Sequence, residues 1–194
     1  MTAEILLALL GFSFVTSATP GPNNMMLMAS GANFGLRRTV PHLLGVSLGF
    51  GAMVGILGMG LDRIVMGNPA VAGALKWLSL AYVLWLAWKI ATAAPPSPAD
   101  AQGRPLGFLG AAAFQWVNPK AWAMALGALS AYAAGVGGPL VVAAVFALVN
   151  LPVVAAWAAA GQGLRGLLDR PGRLRAFNGA MAALLVLSML PVVL

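Results

Sequence analysis

The stretch SATPGPNNMM (residues 17–26) interrupts an apolar segment that runs from about residue 3 to about residue 31. It places two prolines, a glycine and two asparagines where a continuous membrane helix would have apolar residues. Proline lacks an N–H and cannot donate to the carbonyl four residues back, so the helix must break here. The sequence therefore predicts a first helix divided at Thr19-Pro20, with Thr19 as the N-cap of a second half-helix.

The composition is that of an integral membrane protein. Of the 194 residues, 61% are hydrophobic and only 8% are charged, whereas soluble domains carry roughly 25% charged residues. The net charge of +7 comes from basic residues at the ends of apolar runs, which indicates membrane orientation and not nucleic-acid binding. The first segment has no basic leader and carries Glu4, so we expect it to remain as a helix.

Six apolar segments follow one another along the chain, and each could cross a hydrocarbon core about 30 Å thick. They cover residues 3–31, 40–61, 70–91, 106–131, 138–161 and 174–194. The sequence thus predicts an all-α membrane domain, 1–194, of six transmembrane helices. A proline-rich linker, 92–105, divides it into three-helix repeats at 1–91 and 106–194.

The basic residues predict the orientation of these helices. Only Arg63 and Lys76 fall in the loops of one face, beside Glu4 and Asp62. The loops of the other face hold Arg37, Arg38, Lys89, Arg104, Arg165, Arg170, Arg173 and Arg175. The positive-inside rule places this second face, with the linker, in the cytoplasm and both termini outside. Because each repeat crosses the membrane three times, the two repeats should be inverted relative to each other.

The first helix of the second repeat is also interrupted, at QWVNPKAW (115–122). Asn118 is a good N-cap and Pro119 suits the first position of a restarted helix. Lys120 follows, and a lysine at the centre of a membrane helix costs about 2.5–3.5 kcal/mol, so it is a functional candidate. The prolines should also leave the carbonyls of Thr16, Ala18 and Gln115 free for a ligand.

Two half-helices that start near the midplane from opposite sides would direct two positive dipole ends at one place. Such ends attract carboxylates, and discontinuous transporter helices bind substrates in this way. A single proline kink is often structural, and Lys120 could instead extend to the interface or pair with a backbone carbonyl. Two breaks at equivalent positions favour a binding site formed by Thr19, Pro20, Gly21, Pro22, Asn23, Asn24, Gln115, Asn118, Pro119 and Lys120.

Four further residues are candidates for lining the pathway. Gly45 and Gly49 lie in a glycine-rich segment, for which close helix packing is the favoured interpretation. Trp116 flanks the second break, and Asn150 lies in the fifth segment. We expect the single histidine, His42, to be an interfacial residue and not a proton relay.

TPGPNN (19–24) and NPKA (118–121) resemble the LysE/RhtB family of bacterial amino-acid exporters, and the resemblance covers the whole chain. It implies efflux of amino acids or their derivatives across the cytoplasmic (inner) membrane, driven by proton import. The family's motif positions would correspond to Thr19, Pro20, Gly21, Pro22, Asn23, Asn118, Pro119 and Lys120. The second segment lacks the aspartate often found in exporters of basic amino acids, so a neutral or zwitterionic substrate is expected.

Other functional classes fit less well. A membrane enzyme would need a nucleophile with a base, or a metal cluster, and one histidine without cysteine gives neither; no catalytic residue, metal or cofactor is expected. A small-solute channel or a non-transporting membrane interaction protein is the alternative. The expected partners are an amino acid and the lipid bilayer, and the glycine-rich faces make a homodimer plausible.

Overall fold

The structure is a computed structural model that describes residues 2–61, 67–93, 104–168 and 170–189. These ranges are helical, with short turns between the helices. The α-helices are α1 (Ala3–Ala18), α2 (Pro22–Phe34), α3 (Leu36–Ile56), α4 (Pro69–Ala91), α5 (Phe108–Phe114), α6 (Pro119–Val136), α7 (Pro139–Gly163) and α8 (Pro171–Leu187). Most of the predicted linker (94–103), Asp62, Arg63 and the end of the sixth segment (190–194) lie outside the described residues.

The first apolar segment is broken, but its second half-helix begins two residues later than the sequence predicts. Helices α1 and α2 meet at an angle of 57°. Thr19 is the C-cap of α1, because its backbone N–H donates to the carbonyl of Val15 at 3.0 Å; its hydroxyl donates to the same carbonyl at 2.6 Å. The N-cap of α2 is Gly21, and Pro22 rather than Pro20 takes the first helical position. The prediction that Thr19 caps the second half-helix is therefore wrong.

The second break follows the predicted chemistry. Helix α5 ends in a 3₁₀ turn at Gln115–Val117, and α6 begins at Pro119. The Asn118 side chain accepts a hydrogen bond from the Lys120 backbone N–H at 3.2 Å, which confirms it as the N-cap.

The structure tests the predicted six membrane crossings only in part. Three described helical stretches, Leu36–Leu61, Pro69–Ala91 and Pro139–Leu167, are long and apolar enough to span a membrane, and the bent pair α1–α2 would make a fourth. The fourth segment is divided at its break into two shorter pieces. Six crossings in two inverted repeats therefore stay a prediction.

Glycines bring the helices into close contact. A Cβ on Gly31 of α2 would lie 1.9 Å from the carbonyl oxygen of Ala158, and one on Gly161 of α7 would lie 2.0 Å from that of Met28. The backbones of α2 and α7 therefore touch. Gly45 and Gly49 bring α3 equally close to α5, where a Cβ would lie 2.3 Å and 2.5 Å from backbone atoms. This is the small-residue packing expected between membrane helices.

Candidate functional site

The two breaks meet, although about a hundred residues separate them in the chain. The side-chain amide of Asn23, in the first turn of α2, exchanges two hydrogen bonds with that of Gln115, at 2.8 Å and 3.2 Å. The ammonium group of Lys120 donates to the carbonyl of Thr19, at the end of α1. Direct contacts therefore join the start of each half-helix to the opposite break.

Asn24 fixes the geometry of the first break from within. Its amide nitrogen donates to the carbonyls of Ser17 and Thr19, both at 2.9 Å. These carbonyls lie at the end of α1, where no further helical N–H reaches them. The buried Asn24 side chain thus supplies donors to two carbonyls that have left the helical hydrogen-bond pattern, and it holds α1 and α2 at their bend.

A small polar cavity lies between the two breaks. Its volume is about 20 Å³, which is enough for a water molecule but not for an amino acid. The predicted site residues that line it are Gly21, Asn23, Asn24, Gln115, Asn118, Lys120 and Asn150. The cavity is therefore too small to hold a substrate in this conformation.

Lys120 is the charged group of this cavity. No acidic side chain lines it among the described residues. Of the four acidic residues, Asp62, Asp100 and Asp169 lie outside the described ranges, and Glu4 is exposed at the start of α1. The cavity therefore favours an anionic group, and the N-terminal end of α6 beside Lys120 adds to that preference.

Asn150 offers an oxygen that favours a hydrogen-bond donor rather than an anion. Its amide nitrogen donates to the hydroxyl of Ser17 at 3.1 Å. Its Oδ1 is buried and has no hydrogen-bond partner within the described ranges. An unpaired buried acceptor is costly, so this oxygen would gain a partner if the cavity widened to admit a donor group.

The remaining predicted site residues do not line the cavity. The side chains of Thr19 and Pro20 are exposed, and Pro22 and Pro119 shape the helix starts without lining the cavity. Gly45 and Gly49 pack against α5. The ring nitrogen of Trp122 donates to the carbonyl of Trp116 at 2.9 Å, and Trp116 does not line the cavity.

Two of the carbonyls expected to be free are already occupied. The backbone carbonyl of Thr16 accepts from the Thr19 hydroxyl at 3.2 Å. The backbone carbonyl of Gln115 accepts from the Asn118 backbone N–H at 3.3 Å. In each case a polar group near the break supplies the donor that the proline lacks. The ligand groups of this site are therefore side chains and helix ends rather than these two carbonyls.

Sequence reasoning missed several cavity residues. Ser17 lines it from the last turn of α1 beside Thr16, for which only a free carbonyl was predicted, and Met124 lines it from α6, one turn after Lys120. Phe50 enters from α3. The helical spacing of four between Lys120 and Met124 was a usable signal. The others required knowledge of how α1 and α3 pack.

Broken helices that meet at a small polar cavity among apolar helices are features of a secondary membrane transporter. The chain belongs to the LysE type translocator family, whose model matches residues 14–190. It is thus a transporter and not an enzyme.

Two similar proteins are named cysteine/O-acetylserine efflux protein. The one from Escherichia coli (strain K12) is 33% identical over 191 residues, which cover 96% of each chain. The one from Salmonella typhimurium (strain LT2) is 37% identical over 133 residues, which cover 68% of this chain and 67% of the other. No solved structure matches the chain.

Proposed function

We propose that this protein is a proton-coupled secondary exporter of neutral, zwitterionic amino acids or their close derivatives across the bacterial inner membrane. The observation that carries the proposal is the meeting of two broken helices at a cavity whose charged group is Lys120. Cysteine and O-acetylserine, which name the efflux proteins that this chain resembles, are the first solutes to test. Both are zwitterions.

In the proposed bound state, the substrate carboxylate takes the place of the Thr19 carbonyl as the partner of the Lys120 ammonium group. The N-terminal end of α6 stabilises the same negative charge. The substrate ammonium group donates to Asn150 Oδ1, the buried acceptor that has no partner within the described ranges. The Asn23–Gln115 amide pair then lies beside the substrate as a hydrogen-bonding wall.

The proposed mechanism is alternating access between two inverted repeats. Several equivalent elements pair across the molecule: α3 packs on α7 and α4 packs on α8, while α3 packs on α5 as α7 packs on α1. Such pairing is what an inverted repeat produces. The half-helices α2 and α6 differ, because α2 packs extensively on α7 and α6 only slightly on α3. In this conformation the cavity is too small for a substrate, and the alternating movement of the repeats would widen it.

The proposed orientation places the α2–α3 and α7–α8 connections in the cytoplasm and both termini outside, because Arg37, Arg165 and Arg173 lie at these connections. The close contact between α2 and α7 at Gly31 then seals the cytoplasmic side of the cavity. Export would require these helices to separate.

The experiment that tests this function is uptake of labelled O-acetyl-L-serine into inside-out proteoliposomes. We expect accumulation when the lumen is acidic and loss of accumulation when a protonophore removes the gradient. Concentration-driven equilibration that ignores the gradient would identify a channel instead. Arginine should compete poorly, because Lys120 and the two helix N-termini all repel a second positive charge.

A further inference from the structure

The cavity between the two breaks has an apolar wall as well as its polar groups. Three of the described residues that line it are apolar, and all three belong to one buried cluster: Phe50 of α3, and Ala121 and Met124 of α6. The other lining residues are polar or are glycine. With the substrate carboxylate at Lys120 and its ammonium group at Asn150, as proposed above, this apolar wall is the neighbour of the substrate side chain.

The backbone of Phe50 is held on both sides by close helix contacts. A Cβ on Gly49 would lie 2.5 Å from Cα of Ala112 in α5, and one on Gly51 would lie 2.9 Å from Cβ of Ala147 in α7. The residues on either side of Phe50 therefore touch two different helices. Retreat of Phe50 from the cavity would require α3 to separate from α5 or from α7.

The ring of Phe50 is packed as tightly as its backbone. It meets the ring of Phe146 edge to face, with centroids 5.1 Å apart and planes at 78°. Phe146 is fully buried and packs in the same way against Phe12, at 6.3 Å. Protein interiors have few voids into which such a ring could turn. Phe50 is thus a fixed part of the wall, whereas Met124 has three rotatable side-chain bonds and can adapt.

We propose that Phe50 is a specificity-determining residue of the central site, whose ring excludes substrates with aromatic side chains. The inference rests on the proposed export function, because it concerns the side chain of the same substrate. When the cavity widens to admit a zwitterion, Met124 can move aside but Phe50 keeps its place between α5 and α7. A narrow side chain, such as that of cysteine, then fits beside the ring. A second ring would need space that Phe50 already fills.

The same geometry predicts how the specificity can be changed. Phe50→Ala would leave a space of the size of a phenyl ring between the cavity and Phe146. L-Phenylalanine could place its own ring in this space and regain the edge-to-face contact with Phe146. If Phe50 only supported the fold, its truncation would weaken the binding of all amino acids alike. The ratio between two solutes therefore separates the two roles.

The test is competition against labelled O-acetyl-L-serine bound to the purified protein, with unlabelled O-acetyl-L-serine and L-phenylalanine as competitors. In the unmodified protein, L-phenylalanine should compete about ten- to a hundredfold more weakly. In Phe50→Ala this difference should shrink by about tenfold. Phe50→Leu leaves a smaller void and perturbs the fold less, and the difference should shrink by a smaller factor. The control is Phe177→Ala on α8, which packs against a different buried cluster and should leave the ratio unchanged.

Three results would overturn the proposal. One is equal competition by the two solutes in the unmodified protein, and another is an unchanged ratio in both Phe50 variants while O-acetyl-L-serine still binds. The third is an equal gain for L-phenylalanine in Phe177→Ala, which would assign the change to general loosening of the protein. Failure of the folded, unmodified protein to bind either solute would instead contradict the proposed export function, and this inference with it.

Discussion

Lys120 reaches from the start of α6 to the carbonyl of Thr19 at the end of α1. Its side chain passes directly over Gly21, where a Cβ would lie 2.7 Å from Lys120 Cδ. A charge that would be costly inside a membrane is thus held by a backbone acceptor of the other broken helix. A carboxylate is a stronger partner for an ammonium group than a carbonyl, so a substrate can displace this contact.

Gly21→Ala should weaken substrate binding without unfolding the protein. Gly21 has φ −175°, an extended conformation that alanine adopts freely. The new methyl group must instead displace the Lys120 side chain from Thr19. We expect the half-saturating concentration for transport to rise roughly three- to tenfold, which corresponds to a partial loss of one charge-assisted hydrogen bond.

The matched control is Gly11→Ala in α1, where a Cβ meets nothing within 4 Å. It should transport as the unmodified protein does. If Gly21→Ala also keeps normal affinity, Lys120 does not depend on the space above Gly21, and its position in the site would need another explanation.

The Asn23–Gln115 pair should behave as one unit. Removing either amide leaves the other without its buried partner, so Asn23→Ala and Gln115→Ala should each destabilise the protein. The double variant should lose less than the sum of the two, by about 0.5–1.5 kcal/mol in free energy of unfolding. Unfolding in denaturing detergent measures all three variants. Strict additivity would mean that the pair does not link the two repeats energetically.

Gly31→Ala should be strongly destabilising. Its methyl group would lie 1.9 Å from the carbonyl oxygen of Ala158, so α2 and α7 must move apart. Overpacking of this kind costs about 1–3 kcal/mol, which should appear as a lower thermal midpoint in detergent. Gly163→Ala, near the end of α7 where a Cβ has open space, is the control and should be neutral or stabilising. Equal midpoints for the two variants would rule out the tight crossing.

The sequence predicts both breaks because proline and N-cap chemistry is local. Asn118-Pro119 offers a single helix start, and the structure has it. Thr19-Pro20-Gly21-Pro22 offers two starts, and local rules do not decide between Pro20 and Pro22. The choice depends on Asn24, which closes over the carbonyls of Ser17 and Thr19 and so sets the bend.

Residues whose role depends on a distant helix could not be predicted. Ser17 enters the site because α1 packs on α7, where Asn150 reaches it. The sequence allows Gly45 either to line a pathway or to face another helix. Only the packing of α5 against α3 shows that it faces a helix. His42 is only 2% exposed and is thus buried within the protein rather than interfacial as expected. The burial of the His42 ring could not be predicted either, because nothing in its local sequence indicates it. Periodicity identifies the helices but not which faces meet.

The orientation can be tested by cysteine labelling, because the chain has no native cysteine. Ala134→Cys, exposed near the end of α6, should react with a membrane-impermeant maleimide in intact cells. Gly166→Cys, exposed between α7 and α8, should react only after the membrane is opened. The reverse pattern would invert the proposed topology and place the basic connections outside.

The central claim is that Lys120 binds the substrate carboxylate. The most direct test is a thermodynamic cycle that removes the Lys120 side-chain charge, the substrate carboxylate charge, or both. O-acetyl-L-serine and its carboxyl methyl ester differ in that charge, and binding of each is measured to the unmodified protein, to Lys120→Ala and to the control Lys76→Ala. We expect the unmodified protein and Lys76→Ala to prefer the acid by about ten- to a hundredfold. Lys120→Ala should bind the acid more weakly by the same factor and bind the two compounds nearly equally. Undiminished preference for the acid in Lys120→Ala would show that the carboxylate binds elsewhere.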